Sequence, residues 1–280
     1  MRTRKKKWSA NELENNPRIL RIANVTENRE GESENRGQQR VFRQNPNELL
    51  DDVCDANDEF AGLREFFGDE KPIHLEIGCG KGRFIIETSR RNPDIHYVAV
   101  ERDETILATA ARRAQENAAG SLIFVGADVN EGLGFIRAGE ISRLYINFCD
   151  PWSRKKKWAK RRLTHDSFLE IYEKLQIPEI FFKTDNRILF ESSLESFSRR
   201  GWLLENISLD LHASEPPDNI KTEYEEKFSA HGPIYRLEAR NIARDLVNKF
   251  FGASAGSVLP SASLLSRTPP AFLKKSGAKN

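Results

Sequence analysis

Cysteine is scarce in this 280-residue chain. Cys54, Cys79 and Cys149 are scattered and form no CxxC pair, which argues against a disulfide framework and a zinc knuckle and fits a reducing compartment. Long apolar runs are missing too. No stretch approaches the roughly 20 apolar residues that a membrane-spanning helix needs, and the opening MRTRKKKW leads into polar sequence without the apolar core of a signal peptide. A cytoplasmic chain with no membrane contact is expected. The five histidines, His74, His96, His165, His212 and His231, show no i, i+4 pairing and no acidic cluster in ligand spacing, so no metal is expected. The glycine-rich stretch is not followed by GK[ST], which excludes a P-loop, and no repeat of solenoid or propeller length occurs.

What the chain does have is charge: 31% of residues are charged against 38% hydrophobic, with a net charge of only +2. The positive charge is local. Seven of the nine residues from Arg154 to Arg162 are basic, as a surface that binds a polyanion requires. Residues 1–55 are polar, partly basic and rich in Asn, Glu and Arg, and read as an arm with some short helix, loosely attached. Residues 56–246 form the body. Residues 247–280 turn to Ala, Ser, Gly and Pro, contain no acid, and are expected to be a disordered tail.

Within the body, apolar runs of strand length alternate with helix-period segments. Strands are predicted at Pro72–Ile77, His96–Val100, Leu122–Val125, Arg143–Phe148 and Glu179–Lys183, with two more at Trp202–Leu211 and Ile234–Ala239. Between them, Leu107, Ala110, Ala111 and Ala114 share one helix face, as do Phe168, Ile171, Tyr172 and Leu175. This alternation predicts an α/β fold: a doubly wound, mostly parallel, seven-stranded sheet of Rossmann-like type. Ligands of such sheets sit outside the carboxyl ends of the strands.

The loops at those ends carry the candidate chemistry. Glu76 precedes Gly78-Cys79-Gly80-Lys81-Gly82, where GxGxG replaces the GxGxxG of a dinucleotide fingerprint; a plain strand-to-helix turn is the alternative. Cys79 has no identifiable base and reads as a small filler. Glu101 suits ribose hydroxyls, or is a surface carboxylate paired with Arg102 or Lys81. Asp128 suits an adenine amino group, or caps the next helix. Asp150 ends the fourth strand in Asp150-Pro151-Trp152, a segment similar to the Asx-Pro-Pro-aromatic stretch of methyltransferases that act on base nitrogens; turn initiation is the bland alternative. The basic block leaves the same loop, with Trp152 and Trp158 interleaved as stacking surfaces.

LEIGCGKGRF, YVAVERD, NFCDPWSRKKKWAKRRL, FFKTDN and TEYEEKFSAHGPIYRLE, in that order over about residues 70–240, resemble the bacterial tRNA (guanine-N(7))-methyltransferase family. The resemblance implies a class I S-adenosylmethionine-dependent methyltransferase acting on guanine at position 46 of the tRNA variable loop. It assigns methyl-donor contacts to Glu76, Glu101, Asp128 and Asp150 beside the turn of Gly78, Gly80 and Gly82, and catalysis to Asp150. Substrate contacts fall on Arg154, Asp185 and Thr222 through Glu225; RNA contacts fall on Lys156, Lys157, Trp158, Lys160 and Arg161. Without it, Thr222 and Glu225 read as a capping box. Arg154 stands where lysine is common in the family, Cys149 where proline or serine is common, and the insert near residues 27–45 and the tail have no counterpart. The partner implied is tRNA, and the chain is compatible with a monomer or a homodimer. Rival readings are exocyclic-amine methylation, a nicotinamide oxidoreductase, and a non-catalytic RNA-binding protein on the same fold.

Overall fold

The structure, a computed structural model, describes residues 7–20, 41–42, 53–54, 62–130, 132–152 and 156–242. The chain divides into two units, 1–244 and 245–280, and all described residues belong to the first. Arg2 to Lys6, most of the insert near 27–45, Arg154 and the tail lie outside the described residues.

In chain order the elements are α1 (Lys7–Asn15), β1 (Ile19–Leu20), β2 (Val41–Phe42), β3 (Val53–Cys54), α2 (Leu63–Phe67), β4 (Ile73–Ile77) and α3 (Arg83–Arg91). Then come β5 (His96–Glu101), α4 (Glu104–Glu116), β6 (Leu122–Gly126), β7 (Ile141–Asn147), a 3-10 helix (Lys156–Arg161) and α5 (Asp166–Lys174). The last are β8 (Glu179–Thr184), α6 (Arg187–Arg199), β9 (Leu203–Ser208), a 3-10 turn (Leu211–Ser214), α7 (Glu223–Phe228), a second 3-10 turn (Ser229–His231) and β10 (Tyr235–Arg240). The main sheet runs β1-β6-β5-β4-β7-β8-β10-β9, and β2 and β3 pair separately. All its neighbours are parallel except β10, which is antiparallel to β8 and β9.

Period-two alternation sorts β4 between two layers. Ile73, Leu75 and Ile77 point into the cluster that holds Phe168, Leu169 and Tyr172 of α5 and Leu189, Phe190 and Phe197 of α6. The opposite face packs Tyr97, Ala99 and Phe124 against Phe84, Ile85 and Ile86 of α3 and Leu107, Ala110, Ala111 and Ala114 of α4. Each fully buried Leu, Ile or Phe contributes about 1.5–3 kcal/mol, so two such layers fix the strand order. Asp103 starts α4 by accepting the amide N–H groups of Thr105 and Ile106.

The sheet has eight strands where seven were expected. The extra one, β1, belongs to the polar arm and pairs in parallel with β6, Ile19 opposite Phe124. Arg18 next to it donates to the carbonyls of Ala119, Gly120 and Leu122 at 2.9–3.0 Å, and the Arg112 guanidinium lies 4.3 Å from the Trp8 ring centroid. Residues 7–20 are therefore docked on the body. A two-residue strand offers too little periodicity to be read from sequence. Trp202, expected to open a strand, instead packs on Phe197 and donates its indole N–H to Glu173; β9 begins one residue later.

Candidate active site

Parallel pairing brings the carboxyl ends of β6, β5, β4, β7 and β8 to one edge of the sheet. Asp128, the Gly78–Gly82 turn, Asp150 and Asp185 follow β6, β4, β7 and β8, and Glu101 is the last residue of β5. Glu76 lies just inside, on β4.

Glu76 is the unusual carboxylate. It is 1% exposed. Its Oε1 accepts from Asn147 Nδ2 at 2.9 Å, and its Oε2 is buried with no hydrogen-bond partner among the described residues. Burial pushes its carboxyl up to about 7, against the opposing pull of the Asn147 hydrogen bond and the Lys183 ammonium. An orphaned carboxylate oxygen at a strand end is the mark of a missing cationic or N–H-bearing partner. The adjoining turn carries Gly78, Gly80 and Gly82, all left-handed in φ. At Gly80, φ is +56° and nothing lies within 4 Å of where a Cβ would stand, so the backbone faces open space. At Gly82 a Cβ would press on Ala110 and Ile86 at 3.1 Å, so that glycine is required for packing.

Glu101 clasps the turn. Its Oε2 accepts from the Gly80 N–H at 3.1 Å and its Oε1 from the Asp103 N–H at 2.9 Å. The spare lone pairs of both oxygens remain for hydroxyl donors. The pairing with Arg102 or Lys81 considered above does not form among the described residues; Arg102 turns instead to Asp128 at 3.3 Å. Asp128 also accepts from the Asn130 amide and side chain at 3.0 and 2.7 Å. Burial opposes its ionisation, but the Asn130 and Arg102 donors outweigh this and hold it below the usual carboxylate range. Burial drives the Cys79 thiol well above its ordinary value, reinforced by Glu76 and Glu101, so it stays protonated. This set of acceptors suits an adenosine with a cationic end: hydroxyls toward Glu101, an amine toward Asp128, an ammonium toward Glu76.

Asp150 is exposed, and no hydrogen bond or ion pair engages its carboxylate among the described residues. Its loop is strained into place: Phe148 and Trp152 adopt φ of 53° and 45°, left-handed values that non-glycine residues rarely take. The Arg162 guanidinium ties the loop down through the Pro151 carbonyl and Ser192 Oγ at 2.8 and 2.9 Å. Trp152 meets Trp158 edge-on with centroids 6.1 Å apart, and the Arg161 guanidinium lies 5.0 Å from the Trp152 ring. Residues Lys156–Arg161 of the basic run form a 3-10 helix, and Lys160 and Arg161 are exposed. The side chains of Lys156 and Lys157 lie outside the description.

The other wall is α7. Thr222 Oγ1 accepts the Glu225 N–H at 2.9 Å, completing a capping box. Glu225 is fully buried and accepts from Lys183 Nζ at 2.9 Å. Tyr224 donates its hydroxyl to Asp185 at 3.0 Å, and its ring leans on Phe148, centroids 5.0 Å apart. Sequence reasoning missed Asn147, Lys183, Tyr224's ring contact and Arg162. The one available signal was a lysine closing an otherwise apolar strand, since a buried ammonium must find partners. Elsewhere His74 meets the Tyr145 hydroxyl, and His96 sits between Ser121 and Asp69. Among the described residues no three His, Cys, Asp or Glu side chains are grouped to hold a metal ion, and no helix is long and apolar enough to cross a membrane.

A family profile described as "Putative methyltransferase" matches residues 70–237. A tRNA (guanine-N(7)-)-methyltransferase of Clostridioides difficile is 48% identical over 177 residues, covering 62% of this chain and 82% of that one. Its counterpart from Listeria monocytogenes is 50% identical over 187 residues, covering 65% and 87%. That of Bacillus velezensis is 47% identical over 182 residues, covering 64% and 83%. Among solved structures, an antibiotic-related methyltransferase has a TM-score of 0.49 and 16% identity over 66% of this chain and 94% of that one.

Proposed function

The chain belongs to the family of tRNA (guanine-N(7)-)-methyltransferases, and on that footing we propose that it methylates nitrogen 7 of a guanine in tRNA, at variable-loop position 46, with S-adenosylmethionine as donor. The donor supplies a methyl group on a sulfonium, an electrophile. Guanine nitrogen 7 supplies the electron pair; the carbon–nitrogen bond forms as the carbon–sulfur bond breaks, leaving a thioether and a cationic 7-methylguanine. Nitrogen 7 carries no proton, so no side chain has to remove one.

The residues contribute position and field. Glu76 receives the donor's ammonium, Glu101 its ribose hydroxyls and Asp128 its adenine amine, with Gly78, Gly80 and Gly82 keeping the turn low beneath it. Asp150, an acceptor-only group, takes the guanine's N–H donors and faces the positive charge that grows on the ring as the methyl arrives. Lining up donor and acceptor supplies the remainder of the rate gain. Arg154, Lys156, Lys157, Lys160 and Arg161 neutralise tRNA phosphates, and Trp158 offers a stacking face for an extruded base. Asp185, Thr222 and Glu225 shape the opposite wall.

One observation carries this reading: just beyond β7, the strand paired with the β4 that holds the orphaned Glu76 oxygen, Asp150 is exposed with no partner for its carboxylate among the described residues, in the loop whose Trp152 ring has the Arg161 guanidinium 5.0 Å from its centroid. The experiment is transfer from a methyl-labelled donor to unmodified tRNA, followed by digestion and mass mapping of the labelled nucleotide. A fixed-charge 7-methylguanosine is expected. Label on an exocyclic amine, or none, refutes the proposal.

A further inference from the structure

Four consecutive side chains of α7 each grip a different part of the molecule. Glu223 pairs with Arg113 of α4 at 2.5 Å. Tyr224 donates to Asp185, just beyond β8, at 3.0 Å. Glu225 pairs with Lys183 of β8, and Glu226 pairs with Arg83, the first residue of α3 after the glycine turn. Three of these ties, two ion pairs and one hydrogen bond, are exposed and individually weak. The fourth is different in kind. Lys183 and Glu225 are 9% and 0% exposed, and the ammonium spends all three donors: Glu225 Oε2 at 2.9 Å, Asn219 Oδ1 at 2.8 Å and the Ile220 carbonyl at 3.1 Å.

An ion pair so deeply buried is poor value as a source of stability, because apolar residues of the same shape do as well or better. What it does supply is register. Its three acceptors come from the stretch that leads into α7 and from α7 itself, so one ammonium fixes where the helix lies over β8. On its outer side the helix presents Tyr224, which carries Asp185 by its hydroxyl and abuts Phe148, two residues before Asp150. On its inner side Lys183 is the cross-strand neighbour of Asn147, which holds Glu76.

Resting on the function proposed above, we propose that Lys183 is a positioning residue: by seating α7 on the sheet it sets Tyr224 and Asp185 as the substrate wall beside Asp150, without touching the reacting atoms itself. Its influence should therefore fall on tRNA use and spare donor binding.

The test is the full-length double variant Lys183→Met/Glu225→Gln, compared with wild type. Removing both charges leaves neither buried alone and keeps the interior's net charge; because the Lys183 ammonium also pulls on Glu76, product binding is compared at a pH of about 8.5, where Glu76 is ionised in both proteins. Three quantities are measured: the melting temperature, the dissociation constant for S-adenosylhomocysteine, and KM and kcat for unmodified tRNA. A misplacement of about 1 Å costs on the order of a hundredfold in rate, so kcat/KM for tRNA should fall roughly ten- to a hundredfold while product binding changes less than about threefold. Equal losses in both, or wild-type constants throughout, overturn the proposal. Should the double variant melt well below wild type, Lys183→Arg decides instead. It keeps the charge, but a planar guanidinium cannot gather the three acceptors around one atom; kcat/KM should drop at least about threefold, and wild-type constants refute the role. Absence of 7-methylguanosine from the wild-type reaction itself would count against the function, not against Lys183.

Discussion

Donor binding should strengthen as pH rises toward neutrality, and Glu76 is the reason. With its carboxyl pushed up to about 7 by burial, only about 3% of the free protein is ionised there at pH ~5.5 and about half at pH ~7. If the ionised form alone receives the donor's ammonium, the dissociation constant falls about fifteenfold over that interval, or roughly 1.6 kcal/mol. The ligand's own amine, with a pKa of about 8 as an ordinary α-amino group, stays protonated throughout. The sign for the free protein runs the other way. A carboxyl raised above its unfolded value makes the fold lose stability between about pH 4.5 and 7, by on the order of 3 kcal/mol, after which the loss levels off. Titration calorimetry with S-adenosylhomocysteine in buffers of different ionisation enthalpy reads both the affinity and the proton released, close to one per ligand at the acid end. Glu76→Gln should bind more weakly and without pH dependence. A flat profile in the wild type, or an equal slope in Glu76→Gln, refutes the reasoning.

Asp150→Asn should lower kcat by about a hundred- to a thousandfold, the scale of a lost transition-state partner, while leaving the melting temperature unchanged because the side chain is exposed and unpaired among the described residues. Replacing Lys156, Lys157 and Lys160 by Ala should weaken tRNA binding and reduce the magnitude of its log-log salt slope by about 2, on the single-strand coefficient; an unaltered slope in filter binding removes those residues from the interface. Arg18→Ala abandons three carbonyls, two on the loop before β6 and one on its first residue, and should cost about 1–3 kcal/mol in denaturant unfolding, with donor affinity preserved.

Strand positions were legible because burial on two faces leaves continuous apolar runs such as His96–Val100, and the helices because Leu107, Ala110, Ala111 and Ala114 repeat at helical spacing. The acids at the strand ends were legible for the same reason: a carboxylate directly after an apolar run has few places to go. Long-range choices were not. The Lys183–Glu225 pair joins residues 42 apart in sequence, and no local pattern names the partner. Phe148 and Trp152 gave no sign of left-handed backbone, since nothing in their side chains asks for it and the surroundings impose it. Thr222 and Glu225 are the instructive case: local chemistry gave the capping box, which forms, and resemblance gave a substrate role, whereas the structure buries Glu225 completely against Lys183.

The short β1 strand has a meaning beyond its two residues. A parallel sheet that ended at β6 would display Phe124 and Val125 along an unsatisfied backbone border, the kind of seam onto which other polypeptides zip. Two residues of the arm, pinned by Arg18, close that seam. A shortened chain lacking them should keep its chemistry but clump at concentrations that the intact protein tolerates, which makes the arm a guard on solubility as much as an appendage.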